Sequence, residues 1–488
     1  MLPKQINYMT QKNEICYGLK AIVSLIILLF FNCMIADVLI AQDKLVVIQI
    51  ELEGNKRTKE RVILRELDFS IGDTLSLNNL SVRSESNEQL VMNTSLFTEV
   101  QIEFIIIKGQ QAKALITVRE FWYIFPLVLF KLADRNFSIW WTEQNRSLER
   151  VNYGMRFFHH NLTGRRDRLR LITQVGYLKQ IDLAYDLPMV GDKENLGVFA
   201  DIHFSNQKEV AYITQDSRLK FFKEEEEPIL LKRFRVGAGL TYRDGIFKYH
   251  TGKLFYSSSW IGESIAALNP AYFLNGINQQ QHFTLQYDFT IDKRDVKAYP
   301  IKGYQVSLFA QKDGFGFKHE DVNTLSAVAS YARFFPLGKQ QKHSFGAKLQ
   351  GRYTFNRSEQ PYTHISAIGY SPNVLKGYEF YVIDGLDYVY LKTHFRIRLL
   401  KKDINWGKWV FLQQFRYMPL KIFFTINNDV GYVNAPYNKA KSTLSNEFLW
   451  GRGVGIDFLL YYDKLWRFEY SFNNLGERGL FFSWELAF

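Results

Sequence analysis

The chain closes on "GLFFSWELAF", Gly479 to Phe488, where large apolar side chains recur at every second position. Successive side chains of an extended strand point to opposite faces, so Leu480, Phe482, Trp484, Leu486 and Phe488 share one face, and Phe481, Ser483, Glu485 and Ala487 the other. The dyad returns upstream. "LWRFEYSF" sets Trp466, Phe468, Tyr470 and Phe472 against Arg467, Glu469 and Ser471. "HFTLQYDFTID" sets Phe283, Leu285, Tyr287, Phe289 and Ile291 against Thr284, Gln286, Asp288, Thr290 and Asp292, and "YQVSLFAQ" and "FGAKLQGRY" repeat the arrangement. One such strand also suits a soluble sandwich. Recurrence from Phe283 to Phe488, with charges on the polar face, predicts a transmembrane β-barrel, its wall facing lipid and its lumen facing water.

A different pattern precedes the barrel. "KLVVIQIELEGNKRTKERVILREL" predicts a strand over Leu45 to Leu52, a turn at Gly54 and Asn55, and a helix starting near Thr58 as N-cap. A second helical stretch spans about Leu80 to Met92. "LFTEVQIEFIII" and "KALITVRE", separated by a Gly109 turn, predict two further strands. The order strand, helix, helix, strand, strand describes a small α+β unit over 44–120, leaving 121–488 for the barrel.

The first 41 residues read as a secretory signal. Lys4, Lys12 and Lys20 precede the apolar "AIVSLIILLFF", and a cleavage site falls near Ala41. A retained helical anchor is the alternative, against which Asn32 and Asp37 interrupt the run. Both cysteines, Cys16 and Cys33, lie in this leader, so the mature chain has neither a disulfide nor a thiol.

Composition fits a protein that meets two solvents. Aromatics make up 16% of the chain, yet mean hydropathy is only −0.18. No apolar run of about 20 residues follows the leader, which excludes a helical membrane protein. Net charge is +12, and the leader carries three Lys against two acidic groups, so +11 remains after its removal. In a barrel this charge faces anionic headgroups or polysaccharide, and no nucleic acid is expected. Motifs for nucleophilic catalysis, phosphate cradles and zinc helices are missing, so neither an enzyme nor a cofactor is expected. His159 and His160 sit at the end of what reads as the first barrel strand and point to opposite faces, which argues against a shared metal. "GRGVG", Gly451 to Gly455, reads as a bend or a close backbone approach within a strand and not as a nucleotide cradle. The acidic run Glu224 to Glu227 reads as a solvated hairpin tip.

Several segments resemble the BamA/TamA superfamily of outer-membrane assembly factors. "IELEGNKRTKERVILREL", "GDTL" and "TSLFTEVQIEF" look like its periplasmic POTRA module. "NYGMRFFHHNLTGRRDRLRL" looks like its first barrel hairpin, and "IDKRDVKAYPIKGYQVSL" like its mid-barrel pattern. "VLKGYE" takes the place of the family's loop tip, with Lys376 for the usual Arg, followed by Gly377 and Tyr378. "NNDVGYV" resembles the strand that receives that loop, through Asp429 and Gly431, and the terminal Phe488 matches the export signal. The resemblance implies a mostly β fold, a barrel of about sixteen strands behind one POTRA domain. It further implies a Lys376 to Asp429 ionic contact inside the lumen. It also implies insertion or translocation of unfolded outer-membrane client proteins, with lipids and accessory assembly subunits as further partners. Alternatives are a secretion pore dedicated to one passenger and a passive diffusion channel. One POTRA module is fewer than either insertases or two-partner transporters usually carry.

Overall fold

A computed structural model describes residues 44–488 apart from 135–136, 192–194, 226–228, 318–321, 339–340, 411–415, 438–441, 461–463 and 487–488. The expected signal, both cysteines, Glu226 and Glu227 of the acidic hairpin tip and Phe488 lie outside the described residues. Cα proximity divides the chain into two compact units. One runs to Glu51 and includes Phe69–Glu85 and Ile102–Ile116; the other comprises Leu52–Asp68, Ser86–Gln101 and Thr117–Phe488.

The N-terminal elements are β1 (Lys44–Glu53), α1 (Glu60–Leu64), β2 (Thr74–Ser76), α2 (Leu80–Met92), β3 (Phe97–Lys108) and β4 (Gln111–Glu120). The four strands form a sheet ordered β2, β1, β4, β3. Alternate residues Leu45 and Val47 of β1, and Ala112, Ala114, Ile116 and Val118 of β4, are buried, as period 2 requires of a covered face. Two details differ from the pattern reading. Strand β2 was not expected, because three residues of "DTLSL" carry too little alternation to show. Helix α1 is flanked by Lys59 without a side-chain cap. The Thr58 hydroxyl instead bonds the Tyr123 hydroxyl at 2.9 Å and accepts from Asn161 Nδ2 at 2.9 Å, so tertiary partners outcompete the cap.

The large sheet follows in chain order. Its first elements are β5 (Ile124–Leu132), α3 (Phe137–Thr142), β6 (Val151–His160), β7 (Arg168–Gly176), β8 (Leu178–Val190) and β9 (Leu196–Gln207). Next come the hairpin β10 (Glu209–Gln215) and β11 (Arg218–Lys223), then β12 (Leu231–Asp244), β13 (Lys248–Ile261), α4 (Glu263–Leu268), β14 (Gln279–Asp292) and β15 (Gly303–Asp313). The last are β16 (Thr324–Leu337), β17 (His343–Thr354), the short pair β18 (Ser366–Ile368) and β19 (Ile383–Asp384), β20 (Asp387–Asn405), β21 (Tyr417–Asn434), β22 (Phe448–Leu459), β23 (Lys464–Asn473) and β24 (Arg478–Leu486). Apart from the two short hairpins these strands make one 16-stranded antiparallel sheet, in which each strand pairs with its sequence neighbours. The chain is thus a mostly β protein, a barrel behind an α+β domain.

The two faces of the sheet follow the dyads. Phe283, Leu285, Tyr287, Leu349, Tyr353, Trp466, Phe468, Leu480 and Phe482 are exposed, whereas Thr284, Gln350, Asp457, Glu469 and Ser471 are buried. Register aligns Phe468 with Phe482 and with Ile456, so the apolar face is continuous across strands. A wall that is oily outside and charged inside suits lipid and not water. No helix among the described residues is long and apolar enough to cross a membrane. The hairpin at Asn152 is not the first of the sheet, as the resemblance suggested, because β5 precedes it. "IFPLVLFKL" hides that strand, since it is apolar at nearly every position and contains a proline.

Candidate functional site

The segment between β17 and β20 carries the candidate site. It leaves the wall after Thr354, returns at Asp387, and packs much of its length against the inner face. The guanidinium of Arg352 on β17 ties the segment's returning end to Ser366 within it, donating to the carbonyls of Leu386 at 3.0 Å, Ser366 at 2.6 Å and Gly385 at 2.5 Å. An apolar cluster then carries the loop inward. Ile368, Leu375, Tyr378 and Ile383 pack with wall residues Tyr388, Tyr390, Val433 and Leu449.

At the tip, Gly377 adopts φ +76°, and a Cβ there would strike the Phe472 carbonyl on β23. Its own carbonyl accepts from Asn473 Nδ2 at 2.8 Å. The Tyr378 side chain is fully buried; its hydroxyl donates to Asn474 and accepts from the Trp450 amide at 3.3 Å. Opposite the tip the wall is bare. The Lys376 carbonyl lies where a Cβ of Gly451 would stand, and Gly431 leaves room for Leu375 at 2.7 Å from its Cβ position. "GRGVG" is thus a close approach of loop backbone to strand.

The charges pair differently from the expected Lys376 to Asp429 contact. The Lys376 ammonium meets Glu469 of β23. Asp429 of β21 instead accepts the backbone N–H of Lys376 at 3.2 Å. It lies in register with Lys392 of β20, whose ammonium donates to the Val374 carbonyl at 2.6 Å. The reason is reach. Bonding the Lys376 amide to Asp429 turns the extended side chain toward the next inward-facing carboxylate, Glu469, which Asn427 also contacts at 2.8 Å. Both acidic side chains are nearly inaccessible, at 2% for Asp429 and 3% for Glu469. Burial raises the Glu379 carboxyl to about 7, an effect that Lys376 opposes and that Glu469 and Asp429 reinforce. Glu469 was not singled out in the sequence because "LWRFEYSF" marks it only as inward-facing.

Two further groups meet the inner face. Tyr299, in the connection between β14 and β15, donates to Asp457 at 2.8 Å, and Asp457 also holds Arg467 at 2.8 and 2.9 Å. In the same connection Arg294 doubly bonds Asp292 at 2.8 and 2.7 Å. His159 and His160 diverge: His159 lies 3.4 Å from the Arg57 guanidinium, and His160 stacks on Phe158.

A family model for POTRA, described as "Surface antigen variable number repeat", matches residues 45–120. No curated protein matches the chain. Among solved structures, CdiB from Escherichia coli is similar at TM-score 0.53 and 11% identity, over 90% of this chain and 75% of that one. CdiB from Acinetobacter baumannii gives TM-score 0.49 and 13% identity over 91% and 73%. BamA from Haemophilus ducreyi lacking POTRA domains 1–3 gives 0.48 and 13% over 90% and 83%. At such identities the likeness to E. coli CdiB speaks for the fold. Residues 45–120 are therefore a POTRA domain of the surface-antigen type, and the sixteen-stranded sheet that follows it in the chain gives the whole a fold like that of CdiB from Escherichia coli.

Proposed function

We propose that the protein is an outer-membrane barrel that inserts or translocates other polypeptides, delivered to the periplasm by a signal over residues 1–41. The observation that carries this reading is the pairing of a POTRA domain with a barrel whose inner face is occupied by a docked loop. A simple pore needs neither. The client class is unfolded outer-membrane protein, with membrane lipids and accessory subunits as further partners; no catalytic step and no cofactor are assigned. In the small sheet β3 is one terminal strand and the three-residue β2 the other, while β1 lies between β2 and β4. Ile105, Ile106 and Ile107 of β3 are exposed, so β3 offers both ladder groups and apolar contacts to an arriving extended segment.

Proteoliposomes holding the protein should accelerate folding of a urea-denatured outer-membrane barrel and conduct only in rare openings. Ile106→Pro should slow that folding without altering the barrel. Steady open conductance with no acceleration would replace this reading by the diffusion channel. Passage of one passenger without insertion would favour the secretion pore.

A further inference from the structure

Three side chains from distant parts of the sequence converge away from the loop tip. His282 lies on β14, Asp313 ends β15, and His364 sits in a single helical turn, Tyr362–His364, of the inward-folded segment. Their ligand atoms all lie within 4.8 Å of one another. Nε2 of His282 is 3.9 Å from Asp313 Oδ1, and Nε2 of His364 is 3.9 Å from Oδ2. These gaps exceed the roughly 2.7 to 3.2 Å of an N–H···O hydrogen bond. They come close to the roughly 3.3 to 3.6 Å that separates ligands held 2.0 to 2.2 Å from a tetrahedral Zn2+. Both imidazoles thus face one carboxylate beyond hydrogen-bond distance, with a small inward movement needed to reach ligand spacing.

The surrounding groups are those a metal centre requires. Thr284 Oγ1 donates to Asp313 Oδ1 at 2.6 Å and Gln311 Nε2 to Oδ2 at 2.7 Å, which fixes the carboxylate and leaves it further lone pairs. Thr363 Oγ1 lies 3.0 Å from His364 Nδ1, so Nδ1–H can donate there while Nε2 keeps its lone pair for a metal.

We infer that His282, Asp313 and His364 form a binding site for a divalent transition metal, which clips the inward-folded loop to strands β14 and β15. Two imidazoles with one carboxylate suit Zn2+, Co2+ or Ni2+ and not the oxygen-preferring Ca2+ or Mg2+. Three protein ligands leave a coordination position for water. The clip lies on different strands from those that hold the tip, so the loop is secured at two separate places.

The test uses full-length, tag-free protein in detergent, stripped with EDTA and titrated with Co2+ and then Zn2+. One equivalent of Co2+ should bind with visible d–d absorption, and Zn2+ should displace it. His364→Ala should abolish the signal, and His364→Gln should do the same with a polar side chain of similar reach should the first variant not fold. Thr284→Val should weaken Zn2+ binding by about 10- to 100-fold, whereas His159→Ala should leave it unchanged. Absence of stoichiometric Co2+ and Zn2+ binding, or binding unaffected by the His364 substitutions, would overturn the site.

Discussion

Lys376 illustrates how a charge inside a barrel is compensated. Its ammonium meets Glu469 while its backbone amide meets Asp429, so one residue occupies two carboxylates through different donors. Removing either ionic partner leaves the other partly desolvated. Lys376→Ala and Glu469→Ala should each lower the unfolding midpoint in urea, and a double-mutant cycle should return a coupling of about 1 to 3 kcal/mol. The cycle of Lys376→Ala with Asp429→Ala should return a smaller coupling, since that carboxylate keeps Lys392 beside it. Glu379 gives the site a pH dependence. Its folded pKa, about 7, stands above the ordinary 4.5, so the folded state binds more protons between those values. Its contribution to stability is therefore full below pH 4.5 and lost as pH rises through 7. The unfolding midpoint of the native chain, relative to that of Glu379→Gln, should fall across this window; parallel curves would refute it.

Among the elements, β22 shows what the loop demands of the wall. Gly451 stands in register with Asp429 on one side and Asn473 on the other, both of which bond the tip. A methyl group there meets the Lys376 carbonyl, whereas at Gly252 on β13 it meets nothing within 4 Å. Gly451→Ala should therefore loosen the loop by about 1 to 3 kcal/mol and expose it to protease, and Gly252→Ala should do neither. Equal behaviour of the two would mean that the loop does not rest on β22. The strands themselves were legible because a wall between two solvents forces strict alternation, as in "LWRFEYSF". β5 was not, since an apolar run with a proline has no alternation to read. The glycines of "GRGVG" left a bend and a close approach both open, and nothing in that stretch says what approaches. The choice of Glu469 over Asp429 depends on side-chain reach across strands, and His282, Asp313 and His364 are brought together only by the fold.

For the molecule as a whole, polar contacts are spent on holding inserted segments as well as on the wall. Within the larger unit Arg243 of β12 makes two bonds to Glu66, at 2.7 and 2.6 Å, with both side chains nearly inaccessible. Burial pushes the Glu66 carboxyl up, but the Arg243 hydrogen bonds and the charges of Arg166, Arg243 and Arg65 hold it below its ordinary range. At the loop end Ser217 of the β10–β11 hairpin accepts the Val382 amide at 2.8 Å and shares a hydroxyl contact with Ser442 at 3.0 Å. Tyr362 meets Thr214 at 3.1 Å and the Ala271 carbonyl at 2.9 Å. The loop that packs on the inner face is thus itself covered.

The seating of Gly377 and Lys376 also bears on the order of events during biogenesis. The partners of the tip, Lys392, Asp429, Trp450, Glu469, Phe472, Asn473 and Asn474, all follow the loop in the chain and belong to β20 through β23 or to the turn after β23. Those contacts close far shorter chain segments than any that would join the tip to β5 through β9, and shorter closures are reached sooner. The C-terminal hairpins can therefore wrap the tip as a nucleus while the N-terminal strands are still unpaired. Threading a finished barrel is then unnecessary.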